Sequence, residues 1–364
     1  MITLKDIAKS AGVSVSTVSR ILNGTTKNGR PSGERARNKV RRIADELSYN
    51  PNAWGRALST QRTFNIGVMW DKRMDSPEES VFWSPVLRGV ISGCKAAGYH
   101  CMVSIEDYRA KHGFELPRSF REQYVDGVVV TYPLGDRNKQ VQQELIDLGI
   151  SFVAIWKPFV DADVWSVDVD LKTGYRQALL HLLELGHRKI CYCVYPHGQL
   201  GECQTGQEIE EQVRSEFGIQ LIPFVIDLTM NTHREEGIRL ANKILKDELD
   251  VTAVMMGDLI ASEAIVNLAK HNVRVPKDLS VVGLSNSFIC EYCNPQLTSM
   301  VQPLFQVGQE AVGLLADNIR GKRLGADLAP RGVMLPMGFV ERESTGPVSE
   351  RKICSKKRTI ISNT

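Results

Sequence analysis

From Asn65 onward, short apolar runs alternate with amphipathic stretches, and this alternation constrains the fold of the 364-residue chain more than any other feature. The runs have the length of buried strands, and the stretches between them have the spacing of helices with one apolar face. The predicted strands are Ile66–Trp70, Tyr99–Ser104, Gly127–Tyr132, Phe152–Trp156, Lys189–Val194, Leu221–Ile226, Ala253–Met256 and Leu279–Leu284. The predicted helices are Pro85–Ala97, Gln140–Leu148, Gly174–Leu185, Glu208–Phe217, Arg234–Lys246, Ala261–Lys270 and Val307–Arg320. Strands that alternate with helices form parallel sheets, so the sequence predicts an α/β core of two doubly wound parallel-sheet lobes.

A core of this kind binds ligands at the carboxyl ends of its strands, in the crevice between the lobes. No Gly-x-Gly-x-x-Gly or phosphate-loop pattern follows any predicted strand, which disfavours a nucleotide-dependent enzyme. The sequence also lacks a nucleophile or an acid/base pair at a diagnostic spacing. We therefore expect a binding protein and not an enzyme.

The first 22 residues carry the pattern of two short helices joined by a tight turn. Thr3 and Asp6 predict a capping box at the start of the first helix, in which aspartate takes the place of the longer glutamate. Gly12 is expected to end that helix, and Ser14 is expected to cap the second. Two helices joined in this way predict an all-α helix-turn-helix domain. The apolar residues expected to face inward are Ile7, Ala8, Ala11, Val18, Ile21 and Leu22.

The outer face of the second predicted helix carries side chains that suit a DNA groove. Arg20 can donate two hydrogen bonds to guanine, Ser16 can bond to either kind of base, and Val15 can contact a thymine methyl, as can the methyl of Thr17. Thr17 and Ser19 can instead bind phosphates, which position the helix without reading the sequence. The alternative is a helical hairpin packed on the body, with Arg20 solvated.

The net charge of +3 hides a strong asymmetry along the chain. Residues 1–62 carry +8 and residues 346–364 carry +4, which leaves −9 for the segment between them. A basic module on an acidic body is typical of a protein whose N-terminus binds polyphosphate. The alternative for the first segment is a charged, solvated terminus, and for the tail with Lys356-Lys-Arg358 a disordered end or a weak nonspecific DNA contact.

The stretch Thr3–Asn23 resembles the signature of the lac repressor family over its full length. Val40–Leu47 then predicts a third helix, and Tyr49-Asn-Pro-Asn52 followed by Arg56 and Leu58 resembles the hinge of that family. The resemblance implies double-stranded operator DNA as a partner, with Leu58 as a wedge in the minor groove. The residues expected to contact DNA are Thr3, Leu4, Val15, Ser16, Thr17, Ser19, Arg20, Asn23, Tyr49, Asn52 and Leu58.

The body resembles the same family and its periplasmic-binding-protein-like relatives, and the resemblance runs from about Thr3 to Thr345. Local matches are Val125–Val130, Asp168–Asp170 with Gly174, Leu185–Ile190, Val275–Asp278, Pro295–Thr298 and Arg342–Thr345. The implied domains are a helix-turn-helix domain over 1–50, a hinge over 51–62, an effector-binding and dimerisation core over 63–345, and a basic tail over 346–364.

The resemblance also implies where a small-molecule effector binds. Aromatic faces beside carboxylates suit a polyhydroxylated ligand, because carboxylates accept hydroxyl hydrogen bonds and rings cover the apolar face of a sugar. For each of these residues the alternative is structural packing or a solvated charge. The residues expected to contact the effector are Trp70, Asp71, Phe82, Trp83, Trp156, Asp170, Asp258, Ser285, Asn286 and Gln302.

The sequence departs from the family pattern in four places. Gly24–Pro31 is about four residues longer than usual, and Gly55 replaces an alanine in the hinge, where glycine costs a helix about 1 kcal/mol. Gly283-Leu-Ser-Asn286 replaces a turn with an aspartate that accepts hydrogen bonds from sugar hydroxyls, and an arginine common in relatives is missing from Tyr195–Thr205. We therefore expect an effector in an altered pose or one that is not a common free monosaccharide.

Neither a metal nor a cofactor is expected. Cys191-x-Cys193 and Cys290-x-x-Cys293 have spacings that can chelate, but no second pair or nearby histidine completes a zinc site. Eight cysteines are too few for a disulfide scaffold in a chain of this length. His187 follows Gly186 and is expected to cap a helix and not to act as a base.

The chain contains no run of about 18 apolar residues, and Met1 leads into Thr3-Leu-Lys-Asp6 without an apolar signal region. We therefore expect a cytoplasmic protein that makes no membrane contact. The leading hypothesis is a dimeric, operator-binding repressor controlled by a small molecule, most simply a sugar or a related metabolite. The alternatives are a constitutive DNA-binding protein whose core has lost its ligand and an enzyme with an accessory DNA domain.

Overall fold

The computed structural model describes residues 2–22, 31–49, 55, 57, 60–106, 115–131, 138–156, 164–194, 216–228, 230–326 and 328–349. The chain divides into two compact units, Met1–Phe64 and Asn65–Thr364, of which the second is called the core below. Within the described ranges, no helix is both long enough and apolar enough to cross a membrane.

Three helices of the N-terminal unit lie within its described ranges 2–22 and 31–49: α1 (Leu4–Ala11), α2 (Val15–Leu22) and α3 (Pro31–Glu46). The third helix begins earlier than the predicted Val40, because Pro31 suits the first turn, where a helix needs no N–H donor. The three helices enclose a small apolar cluster that contains Ile7, Ala8, Ala11, Val18, Ile21, Val40, Ile43 and Ala44.

The ends of α1 are formed as the sequence predicts. The Asp6 carboxylate accepts hydrogen bonds from the backbone N–H of Thr3 at 2.9 Å and from its hydroxyl at 2.8 Å. Gly12 ends the helix at φ 68°, a left-handed conformation that glycine adopts without steric cost. The Ser14 hydroxyl then accepts a hydrogen bond from the N–H of Thr17 and caps α2.

In the described part of the core, the strands form two six-stranded sheets. The strands, in chain order, are β1 (Asn65–Asp71), β2 (His100–Glu106), β3 (Gly127–Val130), β4 (Ser151–Ile155), β5 (Ser166–Val169), β6 (Lys189–Val194), β7 (Gln220–Val225), β8 (Ala253–Met255), β9 (Ser280–Gly283), β10 (Thr298–Val301), β11 (Gly332–Leu335) and β12 (Gly338–Val340). The first sheet has the order β11-β5-β4-β3-β1-β2 and the second has the order β12-β10-β9-β8-β6-β7. All neighbours run parallel except β10 and β12, which are antiparallel.

Helices cover both sheets. They are, in chain order, α4 (Pro77–Ala97), α5 (Arg118–Arg121), α6 (Asn138–Asp147), α7 (Leu171–Glu184), α8 (His233–Leu245), α9 (Asp258–Lys270), α10 (Ile289–Tyr292) and α11 (Leu304–Arg323). A short 3-10 helix, Lys72–Asp75, follows β1. We call the sheet that contains β1, with α4–α6 and α11, lobe 1, and the sheet that contains β6, with α7–α10, lobe 2.

The chain passes between the lobes three times. It leaves lobe 1 after β5, returns to it after β10 to form α11 and β11, and enters lobe 2 again to form β12. In lobe 1, α4 and α11 approach so closely that a Cβ on Gly89 would lie 2.0 Å from the carbonyl oxygen of Phe305. A side chain at this position would therefore force the two helices apart.

All eight predicted strands are present, with their ends displaced by at most two residues. Prediction missed β5, β10, β11 and β12, which have only three or four residues each. The helix predicted from Pro85 begins eight residues earlier, at Pro77, because the Ser76 hydroxyl caps it by accepting a hydrogen bond from the N–H of Glu79. Most of the predicted helix Glu208–Phe217 lies outside the described residues.

Candidate functional site

In the N-terminal unit, one face of α2 is apolar and the opposite face is polar. Val18 and Ile21 are buried against α1 and α3, while Val15 is 40% exposed and Ser16 and Arg20 are exposed. The helix therefore leaves its first residues and its arginine on the outside, where a DNA groove can reach them.

Hydrogen bonds hold this outer face in place. The hydroxyl oxygen of Ser14 lies 2.9 Å from that of Ser16 and 2.8 Å from that of Thr17. The Nε of Arg20 donates to the carbonyl of Ser16 at 3.3 Å, which keeps the base of the guanidinium along the helix. The exposed face thus presents hydroxyls at its start and a cation one turn later.

The other predicted DNA contacts differ in their surroundings. Thr3 is exposed, whereas Leu4 and Tyr49 are half-buried and pack against the apolar cluster of the unit. Asn23, Asn52, Leu58 and the loop 24–30 lie outside the described residues. In the hinge segment, Gly55, Ala57 and Thr60 are helical.

In lobe 1, four of the predicted effector residues form one aromatic cluster. Trp83 on α4 packs edge-on against Trp156, which follows β4, with ring centroids 5.2 Å apart, and against Trp70 of β1 at 6.1 Å. Phe82 lies 5.5 Å from Trp156. The indole N–H of Trp70 donates to Asp75 at 2.9 Å. The structure therefore brings Trp70, Phe82, Trp83 and Trp156 together at the carboxyl end of the lobe 1 sheet.

A cavity of about 210 Å³ lies between the lobes beside this cluster. Asp71, the last residue of β1, is buried and lines the cavity together with Trp83. Lobe 2 contributes residues of the segment that precedes and begins α8, among them Leu228 and Asn231. Asp71 and Trp83 thus lie where a small ligand could contact both lobes.

Lobe 2 has a carboxylate at the corresponding edge of its sheet. Asp258, the first residue of α9, is buried and accepts hydrogen bonds from the N–H groups of Leu284 at 2.8 Å, Ser285 at 3.2 Å and Ser287 at 2.7 Å. The hydroxyl of Ser299 also donates to it. The carboxylate therefore fixes the turn after β9, and most of its acceptor capacity is used within the protein.

The remaining predicted effector residues take part in the same network or in caps. Asn286 has φ 52°, and its side-chain oxygen accepts a hydrogen bond from Arg342 at 2.7 Å. The amide of Gln302 donates to the carbonyl of Leu284 at 3.2 Å. Asp170 caps α7 by accepting from the N–H of Thr173 at 3.0 Å. These three side chains have clear structural roles, and their effector roles stay predictions.

Sequence reasoning missed the residues that complete the cavity. Glu78, Glu79, Asn231, Thr232 and His233 line it. The Ser76-Pro-Glu-Glu79 and Thr232-His-Arg-Glu235 patterns have the spacing of capping boxes, so the two helix starts were recognisable. Nothing in the sequence indicates that these two helix starts meet.

His187 and the cysteines have structural surroundings. His187 is buried, with Nδ1 2.9 Å from the hydroxyl of Thr252 and Nε2 3.0 Å from the carbonyl oxygen of Gly346, and burial lowers its pKa. Burial raises the pKa of the Cys191 thiol to about 12. Across the described ranges, no group of histidine, cysteine, aspartate or glutamate side chains could hold a metal ion.

Comparison with known proteins gives consistent matches. Residues 3–52 match the family described as bacterial regulatory proteins, lacI family, and residues 179–345 match the periplasmic binding protein-like domain. The HTH-type transcriptional repressor PurR of Vibrio vulnificus (strain CMCP6) is 30% identical over 326 residues, which cover 88% of this chain and 93% of that protein.

Two solved structures extend the comparison to nearly the whole chain. The transcriptional regulator CelR in complex with cellobiose has a TM-score of 0.66 at 27% identity, covering 94% of this chain and 100% of that chain. The lac repressor dimer bound to operator and the anti-inducer ONPF has a TM-score of 0.72 at 22% identity, covering 95% and 99%. These proteins are regulators of transcription and not enzymes.

Proposed function

The chain belongs to the lacI family of bacterial regulatory proteins, and on that premise we propose that it represses transcription by binding a pseudo-palindromic operator as a dimer. The observation that carries this proposal is the outer face of α2, where Val15, Ser16 and Arg20 are exposed while the opposite face is buried. A cation and a short hydroxyl one turn apart match the edges of bases in the major groove. Because DNA is the proposed partner, we propose that the protein acts in the cytoplasm.

The test of DNA recognition is an affinity measurement on Arg20→Ala. An operator is first selected from random double-stranded DNA with the wild-type protein, and binding is then measured by fluorescence anisotropy. We expect Arg20→Ala to weaken operator binding by about 1–3 kcal/mol and to relax the preference at one base pair of each half-site. Arg42→Ala is the matched control, since Arg42 is an exposed cation of α3 that pairs with Glu46. An equal loss on operator and random DNA would refute the base-reading role of Arg20.

An exposed aromatic pair supports the dimer. Phe288 and Tyr292 on lobe 2 are 63% and 82% exposed, with ring centroids 6.2 Å apart. A pair of adjacent exposed rings is typical of a surface that another protein covers, and the lac repressor of the same fold was solved as a dimer. We assign this face to the second copy. Sedimentation of Phe288→Asp and Tyr292→Asp should then show a monomer, and an unchanged dimer would contradict the assignment.

The cavity between the lobes is the proposed effector site. It combines an indole face with the carboxylates of Asp71, Glu78 and Glu79, a set that suits a polyhydroxylated molecule. The related CelR structure contains cellobiose. We propose a sugar or a related metabolite, whose binding changes operator affinity.

A thermal-shift screen of sugars and other metabolites on the full chain tests the effector. A hit should raise the unfolding temperature and also change the affinity for the selected operator. If no compound does either while operator binding is intact, the protein is a constitutive DNA-binding regulator whose core has lost its ligand.

A further inference from the structure

Beside the cavity, a histidine of lobe 2 lies between two carboxylates of lobe 1. His233 is the first residue of α8, and Glu78 and Glu79 are in the first turn of α4. Nδ1 of His233 lies 3.6 Å from Oε2 of Glu78, and Nε2 lies 4.0 Å from Oε1 of Glu79. Both nitrogens of one ring therefore face acceptors on the opposite lobe.

This contact is shielded from water on the histidine side. The side chain of His233 is 16% exposed, whereas those of Glu79 and Glu78 are 31% and 40% exposed. Partly desolvated charges are screened less by salt than exposed charges are. Salt therefore weakens this contact less than it weakens an ion pair on the open surface, and its net contribution stays in the range of a partly exposed pair.

Hydrogen bonds order the chain on both sides of this contact. On lobe 1, the indole N–H of Trp83 donates to Oε2 of Glu79 at 3.2 Å, which ties this carboxylate to the aromatic cluster. On lobe 2, the hydroxyl of Thr232 accepts from the N–H of Glu235 and orders the first turn of α8. The buried Glu236 accepts from Asn231 at 2.7 Å and so holds the segment that leads into the helix.

We propose that His233, Glu78 and Glu79 form an electrostatic latch that holds the two lobes together and weakens when the histidine ring loses its proton. A histidine side chain changes its charge between about pH 5 and 8. The imidazolium attracts both carboxylates, whereas the neutral ring retains one hydrogen-bond donor and no charge. The attraction between the ring and the two carboxylates is therefore stronger at acidic pH than at alkaline pH.

The other charges around the ring do not reverse this sign. Asp71 at the end of β1 lines the same cavity and adds to the negative potential. On the same helix as the ring, Arg234 pairs with Glu263 at 3.6 Å and the carboxylate of Glu236 pairs with Arg239, so these charges are paired within lobe 2. Glu235, also on α8, accepts hydrogen bonds from Thr232. Among the described residues around this ring, the ion pairs that cross the lobe boundary thus join His233 to the two carboxylates.

The latch lies on the edge of the proposed effector cavity, and only its consequence for regulation rests on the proposed function. A molecule that fills the cavity touches residues on both sides of the contact. Lobe closure, and with it the response to an effector, should therefore depend on pH.

Hydrogen exchange on the full chain tests the latch directly. Mass spectrometry follows the first turn of α4 and the segment that leads into α8 at pH 5.5 and 8.0, after correction for the intrinsic exchange rate. In the wild-type protein we expect about two- to fivefold more protection of both segments at pH 5.5, the range of a partly exposed ion pair. His233→Gln should abolish this difference. Arg234→Gln should retain it, because it removes a neighbouring charge that pairs only within lobe 2.

A second variant separates the latch from a folding defect. Glu78→Gln combined with Glu79→Gln should abolish the same pH difference while His233 is intact. The latch is refuted if either variant keeps the wild-type difference, or if Arg234→Gln loses it. Operator binding, measured on the same samples, is an independent readout. If the wild-type chain shows the expected hydrogen exchange but binds no selected DNA, the proposed function is refuted and the latch is not.

Discussion

The two lobes of the core share one strand order, yet their carboxyl edges carry different chemistry. Lobe 1 places aromatic rings there, with Trp70, Trp83 and Trp156 packed edge to face. Lobe 2 places a carboxylate, Asp258, which holds the turn after β9 by backbone hydrogen bonds. The shared strand order thus places a carboxyl edge of each sheet at the cleft. The side chains at that edge then determine whether it is an apolar surface or a polar network.

Among the substitutions that test this contrast, Trp83→Ala should have the largest effect on the free energy of unfolding. Trp83 is 2% exposed and contacts three other rings, so its loss leaves a cavity in lobe 1 that should cost about 3–5 kcal/mol of unfolding free energy. Guanidinium denaturation followed by circular dichroism measures it. Leu324→Ala, at an exposed apolar side chain that follows α11, is the control and should change stability by less than about 0.5 kcal/mol. A comparable loss in both variants would show that the aromatic cluster is not the support of lobe 1.

A smaller effect is expected from Asp258→Ala. Removing the carboxylate leaves the N–H groups of Leu284, Ser285 and Ser287 without their acceptor, which should cost about 1.5–3 kcal/mol. Asp258→Asn keeps one acceptor oxygen and should lose less. Denaturation measures the stability of the two variants, and calorimetry measures their affinity for any effector found in the screen. A loss of ligand affinity at unchanged stability would show that Asp258 contacts the effector and does not mainly fix the turn.

The smallest effect should be the pH dependence of stability that His187 contributes in lobe 2. Burial lowers the pKa of His187, so below the ordinary histidine value of about 6.5 the unfolded chain binds more protons than the folded one. This contribution to stability is therefore complete above that pH and is lost as the pH falls toward the lowered pKa. Denaturation at pH 8.0 and 5.5 should show a smaller loss in His187→Gln than in the wild-type protein. An identical loss would assign the acid sensitivity to other groups.

The sequence predicts the fold where a local signal is strong. Thr3, Gly12 and Ser14 predict the helix ends correctly, because caps depend on neighbouring residues. The short strands β5, β10, β11 and β12 escaped prediction. Gly332 and Gly338 begin the last two, and their place in a sheet depends on partners far away in the chain.

The candidate site also has a part that the sequence predicts and a part that it does not. The grouping of the lobe 1 aromatic residues could be predicted because each follows or faces a recognisable strand end, and parallel strands share one edge. Their contacts with an effector stay predictions. The contact of His233 with Glu78 could not, since it joins two helix starts on different lobes. For Asp258 the residue was recognisable, but its hydrogen bonds to the turn after β9 follow only from three-dimensional packing.

The three passages of the chain between the lobes bear on how the protein is made. Lobe 1 receives α11 and β11 from residues that follow nearly all of lobe 2, so the ribosome synthesises lobe 2 before lobe 1 can be finished. During that interval, the sheet of lobe 1 exposes the side of β5 that β11 later covers, and α4 exposes the surface that α11 later fills. A nascent chain with exposed strand edges and apolar helix faces is prone to aggregation. The need for chaperones during synthesis should therefore depend on how long lobe 1 waits for α11 and β11, which follow most of lobe 2 in the chain.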